Sequence, residues 1–375
     1  MVYLMEPQIK ARKYLVTGAS GYVGGRLVRS LLNEDLEVRV FVRDKEKIKG
    51  QPWFNHVEIV EGNANSESDL IAALTGVHTA FYLLHSINLG KNFDDIEAVM
   101  ARGFAKAAEA AGISQIVYLG GIANDKKSSQ HLASRVQTGT ELASGKVPVL
   151  ELRAGIIIGS GSASFEMLRH LTHRLPVMTT PKWVSNLTHP IAIRDVLYYL
   201  RGAAALEVPV DQVFDIGGPE ILSYADMMQK FAKLSGLPRR WIIKVPVLTP
   251  ELSSLWIGLV TPVPTALARP LVGSLINEVV ADPKKSINDL IPPPPEGLLN
   301  VESAVTYALS KTSDGQVESR WSDASYPTAP WQKAQGDPEW AGEMVLRDRR
   351  ESNTEASAAS IWQAIESIGG ENGYY

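Results

Sequence analysis

Three glycines at a fixed spacing, in the run Thr17-Gly18-Ala19-Ser20-Gly21-Tyr22-Val23-Gly24, constrain this chain more than any other feature. They follow the apolar residues Tyr14-Leu15-Val16 and precede a segment that sets Val23, Leu27 and Leu31 on one helical face, so a strand passes through a tight turn into a helix. Residues lacking Cβ let the chain turn sharply, let peptide N–H groups approach a pyrophosphate, and let helix pack closely on strand. The helix N-terminus then faces the anion. A further apolar strand at 37–42 completes a βαβ unit. The G-x-x-G-x-x-G spacing alone also fits an ordinary turn and cap; its place between strand and helix makes it a dinucleotide-binding loop.

Strand and helix patterns go on alternating. Strands are predicted at 57–60, 79–84, 115–119 and 149–158. Helices are predicted at 22–32, at 66–74 with Ser66 as cap and Asp69 three residues on, at 93–111 ended by Gly112, and at 134–144 ended by Gly145. This is the pattern of an α/β fold, a Rossmann-type doubly wound parallel sheet with helices on both faces. Beyond Gly159-Ser160-Gly161 the order loosens into helices at 165–171, 193–206, 224–235 and 301–309 with a strand at 213–216, a smaller substrate lobe interleaved with the last core strands. The expected organisation is a leader at 1–12, a nucleotide-binding core at 13–160, the lobe at 161–309, a linker at 310–338, and a truncated start of a second module at 339–375, with a strand at 343–348 and a helix at 358–368.

A net charge of −4 with both signs scattered gives no basic footprint for nucleic acid. With no cysteine, disulfides, thiolate metal sites and a cysteine nucleophile are excluded, and the seven histidines form no paired cluster, so no metal site is expected. The leader contains Glu6 and lacks an apolar run, so it does not read as a secretory signal, and a cytoplasmic protein is expected. Residues 252–268 carry no charge, but Pro262 and Pro264 interrupt them, leaving no apolar helix of about 20 residues to cross a bilayer. They read either as short helices on a substrate pocket or as a surface making peripheral contact with membrane.

Several landmarks fall in order along 13–308: the glycine run, Val42-Arg43-Asp44, Glu61-Gly62-Asn63-Ala64, Leu152-Arg153-Ala154-Gly155-Ile156-Ile157-Ile158-Gly159, His189-Pro190-Ile191-Ala192-Ile193-Arg194-Asp195-Val196, and Phe214-Asp215-Ile216-Gly217-Gly218. In these the chain resembles the extended and atypical short-chain dehydrogenases/reductases, nearest their NAD(P)H-binding, NmrA-like and complex-I-subunit-like branch. The tail from Trp321, ending Ile368-Gly369-Gly370-Glu371-Asn372-Gly373-Tyr374-Tyr375, resembles the entry into a DUF2867 module, similar to SRPBCC lipid-binding folds.

The second strand ends in Arg43 with no acid at its tip, which favours NADP(H) over NAD(H), because a guanidinium pairs with the extra phosphate and stacks on adenine. Arg43 as a solvated charge beside a capping Asp44 is the plainer alternative. The expected cofactor contacts are Gly18, Ser20, Gly21, Tyr22, Val23 and Gly24, Arg43, Asn63 and Ala64, Leu84 and His85, Arg135, Gly155 and Ile156, with the glycine loop at the pyrophosphate, Asn63 near adenine and Arg135 at the nicotinamide ribose. Asn63 stands where the family usually has an aspartate.

For catalysis the resemblance implies a tyrosine four residues before a lysine, a serine after the fifth strand and an asparagine on the preceding helix. Here those positions read His131, Arg135, Gly120 and Met100. His131 and Arg135 keep the i, i+4 spacing, so an imidazole base beside a ribose-holding guanidinium is one candidate pair. His85 and Ser86, at a strand end facing the crevice, are others. Glu166 receives no role, His189 is expected to organise the lobe junction, and Arg153, inside an apolar strand, reads as a paired structural charge. Two functions stay open: an NADP(H)-dependent oxidoreductase acting on a small apolar molecule, and a non-catalytic sensor or structural protein acting through a partner.

Overall fold

The computed structural model describes residues 12–84, 93–123, 129–180, 182–244, 272–313, 354 and 356–366. His85, Ser86, the uncharged stretch 252–268 and the strand expected at 343–348 lie outside these residues, as do most of the linker and of the tail.

Seven strands pair in parallel in the order β11-β6-β5-β4-β1-β2-β3. They are β1 (Lys13–Thr17), β2 (Glu37–Val42), β3 (Glu58–Glu61), β4 (Thr79–Tyr82), β5 (Gln115–Gly121), β6 (Val149–Ala154) and β11 (Gln212–Ile216). This is the expected doubly wound sheet, and its direction of winding reverses between β1 and β4. The strand patterns are continuously apolar because helices cover both faces. Leu27 and Leu31 of α1 (Tyr22–Leu32) and Val196, Tyr199 and Leu200 of α6 (Ile193–Ala205) bury against Val16, Val117 and Leu152 on one face. On the other, Leu70 of α2 (Glu67–Leu74), Phe104 of α3 (Phe93–Ala111) and Leu142 of α4 (Gln130–Leu142) close over Leu15, Tyr82 and Tyr118.

A third cluster forms the lobe, where Phe165 and Leu168 of α5 (Ala163–Arg174), Met227 and Phe231 of α7 (Tyr224–Leu234) and Val305 of α8 (Val301–Ser313) pack together. Short strand pairs stiffen it. They are β7 (Ile157–Ile158) with β10 (Ile191–Ala192), β9 (Leu187–Thr188) with β12 (Leu222–Ser223), and β8 (Val177–Thr180) with β13 (Trp241–Lys244). A last helix, α9, spans Ala358–Glu366 in the tail.

Several expected boundaries shift, among them the helix expected at 301–309, which runs to Ser313, and the strand expected at 79–84, which ends at Tyr82; two shifts bear on the site. Helix α4 starts at Gln130, not 134, because Ser129 caps it by accepting from the Leu132 N–H; His131 therefore lies in its first turn. The strand expected over 149–158 is two strands: β6 ends at Ala154, and Ile157–Ile158 leaves the main sheet to pair with β10. The break is set from outside the segment, by the Ile191 N–H donating to the Ile156 carbonyl at 2.9 Å.

Candidate functional site

The strand ends at the β1/β4 reversal form the crevice where doubly wound sheets hold ligands. Buried Thr17 ties the two strands together: its hydroxyl donates to the Phe81 carbonyl at 3.0 Å and accepts from the Leu83 N–H at 3.0 Å. The chain then enters the left-handed region at Gly18, with φ +67°, and a Cβ there would lie 2.5 Å from the Leu83 carbonyl oxygen. The Gly21 N–H donates back to the Gly18 carbonyl at 2.9 Å. A Cβ on Gly24 would sit 2.2 Å from that same carbonyl oxygen, so helix, loop and strand meet with no room for side chains. Helix α1 begins at Gly21 with no side-chain cap and no acid in its first turn. Its first N–H groups and the positive end of its dipole are thus left for an anion. Ser20, Tyr22 and Val23 line the half-buried loop and first turn.

Tyr22 carries the loop's geometry into the lobe. Its hydroxyl lies against Gly159, where a Cβ would approach it to 2.3 Å, and Arg26 stacks over its ring at 4.8 Å. The same guanidinium donates to the Ser160 carbonyl at 2.8 Å.

Where the adenosine is expected, Arg43 follows β2 directly and is exposed, with no hydrogen bond or ion pair among the described residues. Asp44 is engaged instead in capping the next turn, accepting from the Glu46 N–H at 2.9 Å. Asn63 accepts from the Asn65 N–H through Oδ1 and donates its own N–H to Asp69. That backbone bond, with the Ser66 hydroxyl, holds the Asp69 carboxyl below its usual range. Ala64 is buried, and a pocket beside it is lined by Asn65, Leu70, Val99 and Gly103. Leu84 sits half-buried after β4.

Where the nicotinamide is expected, Arg135 donates to the Leu119 carbonyl, and its guanidinium lies 5.8 Å from the centre of the Tyr118 ring in the middle of β5. Tyr118 in turn donates to the Arg135 carbonyl at 3.0 Å, and burial pushes its hydroxyl up to about 12, far from a working acid or base at neutral pH. His131 is on the same helix face but only 9% exposed, and Met100 is half-buried on α3. One turn on, Ser134 donates to the buried Glu97 at 2.6 Å, a cross-link between α3 and α4 that sequence reading did not find. Gly155 follows β6, where a Cβ would meet the His189 carbonyl oxygen at 3.0 Å, and Ile156 leads into β7.

Gly120, where the resemblance leads us to expect a serine, is closely packed. A Cβ there would lie 2.6 Å from Oε1 of Glu151, and one on Gly139 of α4 would lie 2.3 Å from Oε2. The Glu151 carboxylate fills the space between these two glycines and accepts from Arg153 Nε at 2.7 Å. Burial opposes the Arg153 charge, but the hydrogen bond and field of Glu151, with Asp215 beyond, raise its pKa overall. Asp215, opposite Arg153 on β11, has its own carboxyl pushed up by burial. Arg153 is thus a paired structural charge, as its setting in an apolar strand implies, and the acids at positions 151 and 215 of neighbouring strands were the available signal. His189 holds the lobe junction. Its Nδ1 accepts from the Ala281 N–H at 3.3 Å, which leaves Nε2 to donate to the Gly218 carbonyl at 2.6 Å. Glu166 pairs with Arg169 at 2.7 Å.

Residues 18–143 match the protein family described as NAD(P)H-binding. Over this stretch the chain is similar to NAD(P)H-binding domains. Over 252 residues the chain is 25% identical to the photosystem II assembly factor Ycf39 of Cyanophora paradoxa, covering 64% of this chain and 73% of that one. Other curated relatives are matched over shorter stretches, about a third of their own length. Among solved structures, the Citrobacter sp. triphenylmethane reductase complexed with NADP(H) superposes with a TM-score of 0.62 at 19% identity, over 79% of this chain and 99% of that one. The NADPH-dependent quinone oxidoreductase QOR2 of Escherichia coli gives 0.59 at 19% identity over the same shares. At such identities the likeness is one of fold alone. The tail's likeness to a DUF2867 module has no counterpart in these matches; only helix α9 is described there, close to the expected 358–368.

Proposed function

We propose that this chain binds NADP(H) in preference to NAD(H) and passes a hydride from it to a small, apolar, conjugated acceptor. The nucleotide half rests on one observation: a cradle that glycine alone can line stands at the uncapped start of α1, with the unengaged Arg43 guanidinium at the end of the neighbouring strand. Bound in that cradle, the dinucleotide would supply the hydride. The chain's own part is to hold it. The α1 amides face the pyrophosphate, Arg43 pairs with the 2′-phosphate, and Ala64 and Leu70 shape a wall for adenine.

The acceptor class follows from what the acid/base positions hold. Gly120 offers no hydroxyl, Tyr118 is held protonated by burial, and His131 presents little surface to a ligand. A conjugated acceptor takes up hydride and either draws a proton from water, as a quinone does, or needs none, as a cationic dye does, so it requires no side-chain acid. Quinones and triphenylmethane dyes, named for the two structural relatives, have this chemistry. The same observations favour a second reading, a non-catalytic sensor whose ligand is the dinucleotide itself.

The test has two arms. Calorimetry should show NADPH bound more tightly than NADH, and Arg43→Ala should weaken NADPH about 10- to 100-fold, the worth of one or two charge-assisted hydrogen bonds, while leaving NADH unchanged. Equal loss for both nucleotides would refute the phosphate assignment. Oxidation of NADPH with a panel of quinones and triphenylmethane dyes then separates the readings: turnover supports the reductase, and tight NADPH binding with no turnover and a large NADPH-to-NADP⁺ affinity gap supports the sensor.

A further inference from the structure

The β8–β13 ribbon in the lobe is apolar on both faces. Its inward face needs no further account, since Met178 is buried and Ile242 packs on the lobe core. The parallel register places Trp241 opposite Val177, and alternation along a strand sends Trp241, Ile243 and Val177 to the other side. There they are 73%, 52% and 54% exposed. A tryptophan and two β-branched residues together on the water side of a two-stranded ribbon cost solubility and call for an occupant.

Charge identifies that occupant. Arg174 and Arg239, both exposed, precede the two strands at the same end of the ribbon, where the Trp241 N–H donates to the Pro176 carbonyl at 3.0 Å. Lys182 and Lys244 stand in sequence at the other end. Neither 167–194 nor 227–250 contains a single Asp or Glu. An apolar, Trp-bearing face between basic ends is complementary to a lipid surface, in which aromatic and aliphatic groups enter the headgroup boundary while Lys and Arg meet anionic phosphates. A second copy fits poorly, because either orientation of ribbon on ribbon sets basic ends against basic ends.

We propose that the outward face of this ribbon docks on the surface of an anionic lipid bilayer. The proposal is independent of the nucleotide reading. Among the described residues no helix is long and apolar enough to cross a membrane, so docking would be peripheral.

The full chain should co-sediment with vesicles containing phosphatidylglycerol and far less with vesicles of phosphatidylcholine alone, and added salt should release it. Trp241→Ser with Ile243→Ser, and separately Arg174→Glu with Arg239→Glu, should each weaken vesicle binding about tenfold or more, with NADPH binding and melting temperature kept as measures of folding. Absence of binding to anionic vesicles, equal binding to both vesicle types, or unchanged binding by folded variants would overturn the proposal. So would a wild-type dimer in sedimentation that the Trp241→Ser, Ile243→Ser variant converts to monomer, since a second copy would then be the occupant.

Discussion

Replacing Gly24 by alanine isolates the nucleotide cradle from the rest of the fold. In an exposed helix this exchange gains about 1 kcal/mol, because alanine loses less backbone freedom. Here the new Cβ would stand 2.2 Å from the Gly18 carbonyl oxygen, when 3.0 Å is the least that real Cβ atoms show, so loop and helix must part by about 0.8 Å. The atoms in conflict are backbone, and neither side has a rotamer to yield. A shift of that size takes the first-turn amides out of line with a pyrophosphate, and one charge-assisted hydrogen bond contributes about 1.5–3 kcal/mol. The dissociation constant for NADPH should therefore rise about 10- to 150-fold. Isothermal calorimetry gives that number, and a thermal melt without cofactor shows whether the variant is folded. A folded Gly24→Ala protein that binds NADPH within about twofold of wild type would refute the reasoning, because the amides would then not be the pyrophosphate ligands.

Two glycines inside helices should respond with opposite signs. Gly103→Ala on α3, where no atom lies within 4 Å of the new Cβ, should raise stability by up to about 1 kcal/mol, whereas Gly139→Ala on α4, with the Glu151 carboxylate 2.3 Å away, should lower it; denaturant melts of both decide. His78 has its pKa lowered from 6.5, first by burial and then by Arg12. Below pH 6.5 the unfolded chain accepts this proton before the folded one does, so the group's contribution is present above that pH and lost as pH falls through the folded value. His78→Gln should accordingly flatten the acid side of a stability-against-pH curve, and an unaltered curve would assign that slope to other groups.

What could be read from the sequence was local. Each of the βαβ elements announces itself through apolar period, a cap or a terminal glycine. Helix α1 begins and ends where the pattern places it, and Ser66 caps α2 through the Asp69 N–H as the spacing implies. What escaped was decided by contacts across the chain. Nothing within 149–158 reveals that Ile191 will claim the Ile156 carbonyl, and the four residues before 134 carry too few apolar side chains to extend α4 by periodicity. The site divides in the same way. The glycine cradle is sequence-local, while the Ser134–Glu97 link joins side chains 37 positions apart and the Glu151 pocket needs three elements to assemble.

The Glu151 carboxylate ties the fate of two glycines to a third residue. With its two oxygens pressed between positions 120 and 139, no side chain fits at position 120 unless the carboxylate leaves, and removing Glu151 alone strands Arg153 beside a hollow. Each single change should therefore lower stability, and the combined change should cost less than the sum of the two. A double-mutant cycle with Gly120→Ser and Glu151→Ala, read by thermal melts, would show this as a coupling in which the pair costs less than its parts. Positions 120, 139 and 151 therefore change together or not at all: a side chain at either glycine has to wait on the acid.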